Sequence, residues 1–333
     1  MNTLSRQLRK IKVIGYPFAG GQPRAGVDQT PAWLLNQPWF KEMLSSKKVD
    51  VEFEAVKVSN GVANSQVEDD FCHVETEVEA KNIGNVMYSS AALKAQTNKA
   101  IRDGFFPIVL GGDHSQAIGS VAGMKMARPD TRILWMDAHI DANTPTSSPS
   151  RNAHGMPLAY LSGEIPKYDH LNCVDLTRDL CYFGIRSFEE DEARLIQEKN
   201  VLVFEPEVCN RGDVYDFSNS IKNHFGNKQD KYWISFDIDC IDAGEFKSTG
   251  TAEGNGCSLD FAFNFFKKMI PQSIGLDLTE VNFALSDGQI RRNDERTVRE
   301  LFEMIVSIAA ASNPDSLRMP DFQMQDQRQQ TRI

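Results

Sequence analysis

Short apolar runs recur along the chain, with longer and more mixed stretches between them. Rich in Val, Ile, Phe and Trp are "KVIGYPF" from Lys12, "FFPIVL" from Phe105, "RILWM" from Arg132 and "DLCYFGI" from Asp179, then "VLVF" from Val201, "YWISF" from Tyr232 and "SIGLDL" from Ser273. Runs this short and this apolar predict strands buried on both faces. Between them, Ala91 to Gly104, Ser115 to Ala127, Glu189 to Asn200 and Asn293 to Ala311 predict helices.

Strand followed by helix, repeated, predicts an α/β fold: a three-layer α-β-α arrangement around a central parallel, doubly wound sheet. No internal repeat and no Pro/Gly/Ser linker divides the sequence, so a single domain is expected over residues 1–312. The polar, acidic stretch from Ser59 to Asn82 predicts a surface excursion. Residues 313–333, rich in Gln and Arg, predict a polar tail that is either frayed or packed on a neighbouring subunit.

Composition narrows the function more than the fold. The 36 Lys+Arg against 46 Asp+Glu leave a net charge of -10, which disfavours nucleic acid and anionic membranes as partners and favours a small-molecule substrate. No apolar run approaches bilayer length, and the opening "MNTLSRQLRK" lacks the hydrophobic stretch of a secretory signal, so a cytoplasmic protein is expected. Six cysteines without CxxC spacing predict reduced thiols, neither a disulfide framework nor a thiolate zinc site.

The chemistry gathers after the most hydrophobic strands. "FFPIVL" runs into Gly111, Gly112, Asp113 and His114; "RILWM" into Asp137, His139 and Asp141; "YWISF" into Asp237, Asp239 and Asp242; "SIGLDL" into Thr279 and Glu280. In a parallel sheet these carboxyl ends share one edge, where ligands bind. A lone Asp or Glu after a strand is ordinarily a helix cap or a solvated loop residue, and that reading suits Asp242 or Glu280 taken singly. Independent caps have no reason to recur as Asp-x-His-x-Asp and Asp-x-Asp after separate strands. Two imidazoles and four carboxylates in one crevice repel and resist desolvation unless a cation joins them. His114, Asp137, His139, Asp141, Asp237 and Asp239 suffice for two divalent ions, about 3.5 to 4 Å apart in such sites. Alternate residues of an extended segment point the same way, so Asp137, His139 and Asp141 can share the pair. Oxygen and imidazole donors without thiolate suit Mn²⁺ and related ions.

At these residues the sequence resembles the arginase branch of the ureohydrolase family. "GGDHSQAIGS", "DAHIDANTP", "SFDIDCID" and "GLDLTEVNF" are similar to family motifs in order, as are "PFAGGQPRAGVDQTP" from Pro17 and "HGMPLAYL" from His154. The resemblance extends from about Val13 to about Ala311. It implies two Mn²⁺ per subunit, one bound by His114, Asp137, Asp141 and Asp237, the other by Asp137, His139, Asp237 and Asp239. Asp137 and Asp237 then bridge. Catalytic roles are implied for His154 as proton shuttle, for Glu280 as the carboxylate that holds the guanidinium group, and for Asp141. Asn143, Ser148 and Ser150 fall on positions that contact the substrate's α-carboxylate. The implied reaction is hydrolysis of the guanidinium group of L-arginine to L-ornithine and urea by a metal-bridging hydroxide, in a homotrimer.

Three departures bear on the substrate. Glu189 stands where the family has an Asp that reads the α-amino group. Arg151 occupies a usual glycine position. Ala243, Lys247 and Ala252 stand where prolines are usual, which predicts a freer loop and a weaker placement of Thr251 near the guanidinium. The alternative within the superfamily is an agmatinase or another guanidino-compound amidinohydrolase. Asn143, Ser148, Ser150 and the lack of an HGTxFR-like segment stand against it. A binding protein that keeps the fold without turnover is a third reading, against which all six candidate ligands are present. A two-metal phosphoesterase lacks its expected histidine motifs.

Overall fold

The computed structural model describes residues 8–46, 49–59, 78–212, 214–226 and 231–312. Most of the expected surface excursion, residues 60–77, and the expected tail, 313–333, lie outside the described residues.

Eight strands make one sheet: β1 Ile11–Gly15, β2 Val51–Ala55, β3 Phe106–Leu110, β4 Arg132–Met136, β5 Leu180–Phe183, β6 Leu202–Phe204, β7 Tyr232–Asp237 and β8 Ser273–Thr279. Their order is β2-β1-β3-β8-β7-β4-β5-β6, and every neighbouring pair is parallel. The chain builds outward to one edge through β1 and β2, then to the other through β4, β5 and β6. It then returns to lay β7 and β8 in the gap. The four strands whose ends carry the polar clusters are therefore the four contiguous central ones, β3, β8, β7 and β4. Leu110 pairs with Leu278, Leu278 with Phe236, and Phe236 with Met136, so the residues that follow all start from one level.

Alternation along the buried strands divides the apolar side chains between two cores. Leu134 and Met136 of β4 face one side, with Phe261, Phe265 and Phe266 of helix Leu259–Met269 and Leu301, Phe302 and Ile305 of helix Gly288–Ala311. Ile133 and Trp135 face the other, with Leu93 and Ile101 of helix Ile83–Arg102 and Val121 and Met124 of helix Ala117–Ala127. Helices on both faces explain why the strands read as continuous apolar runs.

β2 escapes the apolar-run pattern because it is an edge strand. Of "VEFEA" only Val51 is buried, and Glu52 and Glu54 both reach Lys12 of the neighbouring strand, at 3.0 and 2.9 Å. Charges on an edge block pairing with another sheet. The expected helices are present with shifted ends. Ile83–Arg102 begins eight residues before Ala91, and Gly288–Ala311 begins five before Asn293. Among the described residues no helix is long and apolar enough to cross a membrane, and the described cysteines, such as Cys181 and Cys240, are free thiols.

Candidate metal centre and cleft

Each central strand delivers its side chains through a different local device. After β3, Gly111 and Gly112 both adopt φ +89°, and a Cβ on Gly112 would stand 2.7 Å from Tyr16 Cδ1. Only glycine fits such a turn, and it brings His114 back over the sheet edge. Asp113 caps the next turn by accepting from Ser115 N at 3.1 Å, and also accepts from Gly21 N at 2.8 Å. The His114 ring stacks on Trp135, centroids 4.3 Å apart. After β4 the chain stays extended through Asp137, with Asp137 Oδ1 accepting from His139 N at 2.7 Å and Oδ2 from Trp135 Nε1 at 3.0 Å. After β7, Asp237 Oδ1 accepts from Asp239 N at 2.9 Å, and Asp239 Oδ1 accepts from Ala138 N at 3.2 Å, tying two strand ends together.

The side chains converge. His114 Nδ1 lies 2.9 Å from Asp137 Oδ2, 2.9 Å from Asp141 Oδ2 and 3.2 Å from Asp237 Oδ2. His139 Nδ1 lies 3.2 Å from Asp239 Oδ2 and 3.4 Å from Asp137 Oδ1. Two groups with metal-binding geometry result, His114/Asp137/Asp141 and Asp137/His139/Asp239, and Asp137 belongs to both through its two oxygens. Asp237 faces the first group; its other oxygen is taken by Asp239 N.

The hydrogen bonds around His114 bear on whether this pocket suits a cation. Asp277 Oδ1 accepts from Ser235 Oγ at 2.6 Å, so Ser235 has spent its proton and accepts from His114 Nε2 at 3.0 Å. That places the neutral ring's lone pair on Nδ1, a fully buried atom with no hydrogen-bond partner, aimed at three carboxylate oxygens. Only a proton or a cation can occupy such a point. Burial and the Asp137 charge push the Asp141 carboxyl up to about 6, and burial with Asp239 and Asp137 raises Asp237 well above the ordinary range. A divalent ion removes the need for those protons. The donor set, all oxygen and imidazole, fits manganese.

A cleft of about 130 Å³ opens onto the cluster and is lined by Asn143, Ser148, Ser150, His154, Glu189 and Thr251, among others. Asn143 Nδ2 donates to Glu189 Oε2 at 2.8 Å. Behind it, buried Glu192 accepts from Ala142 N and Glu189 N at 3.0 and 3.1 Å. Burial first, then the neighbouring Glu189, pushes the Glu192 carboxyl up to about 9, while Glu189 is held low. Ser148 and Ser150 hydroxyls stand 3.3 Å apart. Thr251 Oγ1 donates to Asp239 Oδ2 at 2.6 Å, so the loop expected to be loose is joined to a candidate ligand.

Glu280, 1% exposed and immediately after β8, stands behind the cleft residue His154. Its Oε1 accepts from His114 N at 3.0 Å and faces His154 Nδ1 at 3.2 Å; its Oε2 accepts from Gln22 Nε2 at 3.1 Å. Its φ of 60° is unfavourable for a residue with a side chain, at about 1 to 3 kcal/mol. Asp141 and Arg151 share that conformation, at φ 56° and 55°. Arg151 is exposed and its N–H donates to Ser148 Oγ at 3.0 Å, so it stands at the rim. Burial works against a charged His154, but its hydrogen bond to Glu280 prevails and raises it to about 9.

Asp242, which follows β7, is a loop cap: its oxygens accept from Gly244 N and Gly256 N at 2.7 and 2.8 Å. Sequence reasoning missed Gln22, Glu192, Ser235 and Asp277. Asp277 did carry a signal, being the one carboxylate inside the apolar run "SIGLDL". The other three had none.

The Arginase family model matches residues 9–310. Arginase-1 of Rattus norvegicus is 30% identical over 314 residues, covering 91% of this chain and 94% of the relative. Among solved structures, Entamoeba histolytica arginase in complex with L-ornithine superposes with a TM-score of 0.73 at 27% identity, covering 89% of this chain and 99% of that one. A formimidoylglutamase from Bacillus subtilis shares the fold, with a TM-score of 0.70 at 15% identity over 92% of this chain and 89% of that one.

Proposed function

Because the chain belongs to the arginase family, we propose that it hydrolyses L-arginine to L-ornithine and urea, with two manganese ions per subunit. The observation that carries this reading is the layout of charge along the cleft. Along one part of its lining are the neutral side chains Asn143, Ser148 and Ser150 beside the Glu189 carboxylate. That is a complement to a zwitterionic amino-acid head. Deeper in the lining are Asp141, Asp237 and Asp239 of the cluster, with buried Glu280 behind His154, a set of carboxylates that complements a guanidinium.

His114, Asp137, Asp141 and Asp237 would hold one ion, and Asp137, His139, Asp237 and Asp239 the other. Those residues would let bound manganese lower the pKa of water toward neutrality, the nucleophile that a resonance-stabilised guanidinium carbon requires. Asn143, Ser148 and Ser150 hold the α-carboxylate, and Glu189 the α-amino group. An arriving guanidinium exchanges the His154–Glu280 contact for a charge-assisted hydrogen bond to Glu280, already fixed from its other side by Gln22. His154, raised to about 9 while it is bonded to Glu280, would carry a proton into the cleft for the departing amine before that contact is exchanged. Asp141, at the head of the cleft, belongs to the same machinery. A homotrimer in the cytoplasm completes this reading.

The test is urea release by manganese-loaded protein from L-arginine beside agmatine, with Asp137→Ala as control. Turnover of L-arginine, lost by about 1000-fold or more in the control, is the expected result. Turnover of agmatine alone would replace the arginase reading with the agmatinase one, and full activity in the control would end the metal assignment. Light scattering checks the trimer.

A further inference from the structure

Residues 243–257 contain four glycines and no proline, yet Thr251 in their midst is hydrogen-bonded to Asp239. A segment so free in the unfolded chain must be held from outside. One end is closed by Asp242, which accepts from Gly244 N and Gly256 N. The approach to Thr251 is held by a different residue. Asp294, 3% exposed on helix Gly288–Ala311, turns Oδ2 toward it and accepts from Lys247 N at 3.1 Å, Ser248 N at 2.9 Å and Ser248 Oγ at 2.6 Å.

The anchor also reaches the segment that follows Glu280. Ser248 O accepts from Asn282 N at 2.7 Å, and Thr249 bridges Val281 in antiparallel fashion. Val281 and Asn282 directly follow Glu280, whose unfavourable φ needs support from its neighbours. The Lys247 N–H supplies one of the three bonds to Asp294. A proline at 247 would have no proton to donate to Asp294.

We propose that Asp294 is a positioning residue: by gripping Lys247 and Ser248 it sets Thr251 against Asp239 and braces the backbone that presents Glu280. It touches neither substrate nor ion. The proposal rests on the manganese-dependent reading above for its effect on catalysis, and on geometry alone for its effect on the loop.

Asp294→Ala tests it through three readouts. Amide hydrogen exchange of residues 243–252 should quicken about tenfold or more, while helix Leu259–Met269 keeps its protection. Manganese titration should show about tenfold weaker binding of one of the two ions. KM for L-arginine should rise about tenfold with kcat changed much less. Asp294→Asn retains an oxygen acceptor and should restore all three to within about threefold. Lys247→Pro should loosen the loop in the wild-type background and add nothing in the Asp294→Ala background, since the bond it removes is already gone. Unchanged exchange and unchanged manganese affinity in Asp294→Ala, or a lowered melting temperature alone, would overturn the proposal. If the wild type does not turn over L-arginine yet exchange and titration respond as stated, the arginine reading fails and the positioning role stands.

Discussion

Asp137 places one oxygen near each of two histidines, and the quality of that arrangement depends on atoms one step further out. Ser235, held by Asp277, fixes which nitrogen of His114 faces the carboxylates. Ser235→Ala should therefore weaken manganese binding by about 10- to 100-fold while leaving the ligands in place, measurable by metal titration. Unchanged affinity would mean that the relay does not orient the ring. At the cleft mouth, Ser148→Ala should raise KM for L-arginine by about tenfold through loss of one charge-assisted bond, with agmatine kinetics unaffected. Equal effects on both substrates would show that Ser148 does not read the carboxylate. The candidate ligands were legible in the sequence because Asp-x-His-x-Asp and Asp-x-Asp are local patterns. Ser235 and Gln22 were not, because a serine in a strand or a glutamine in a loop acquires meaning only from what stands opposite it.

Helices Ile83–Arg102 and Ala117–Ala127 approach each other closely. A Cβ on Gly119 would lie 2.6 Å from Ser90 O, and one on Gly123 2.5 Å from Lys94 O. Backbone touches backbone there, directly behind the turn that presents His114. Gly123→Ala should destabilise the fold by about 1 to 3 kcal/mol, read from denaturant unfolding, because the obstructing atom is a helix carbonyl and cannot move aside. No loss would mean the helices can slide apart. The sequence announced these helices by their apolar spacing and misplaced the start of the first by eight residues, since "IGNVMYSS" carries Gly84, Asn85, Ser89 and Ser90, residues of low helix propensity, and is helical through packing. β2 was invisible for the opposite reason: an edge strand is polar by need.

In the molecule as a whole, stability against acid has an identifiable source far from the cleft. Asp179, fully buried, pairs with Arg132 at 2.6 Å, Lys125 at 2.7 Å and Arg178 at 3.0 Å. Burial raises its carboxyl, but the bonds from Arg178 and Lys125 outweigh burial and hold it below the ordinary 3.8. A lowered folded value means that the stabilisation is complete above 3.8 and is lost as pH falls through the lower folded value. Thermal melts should accordingly fall off below about pH 4. Asp179→Asn, which strands buried cations, should cost about 3 to 5 kcal/mol at neutral pH and flatten that acid limb. An unaltered limb would move its cause elsewhere. The sequence by itself determined the alternation of strand and helix, the parallel sheet and the six candidate ligands that follow its strands, because burial on both faces and the spacing of such residues are properties of consecutive positions. Only the tertiary structure decided that β7 and β8 return between β3 and β4, that Glu280 is gripped by His154 and Gln22, and that Asp294 reaches the loop of Thr251. Those contacts join residues far apart in the chain, and no local pattern records which of many compatible partners packing will bring together.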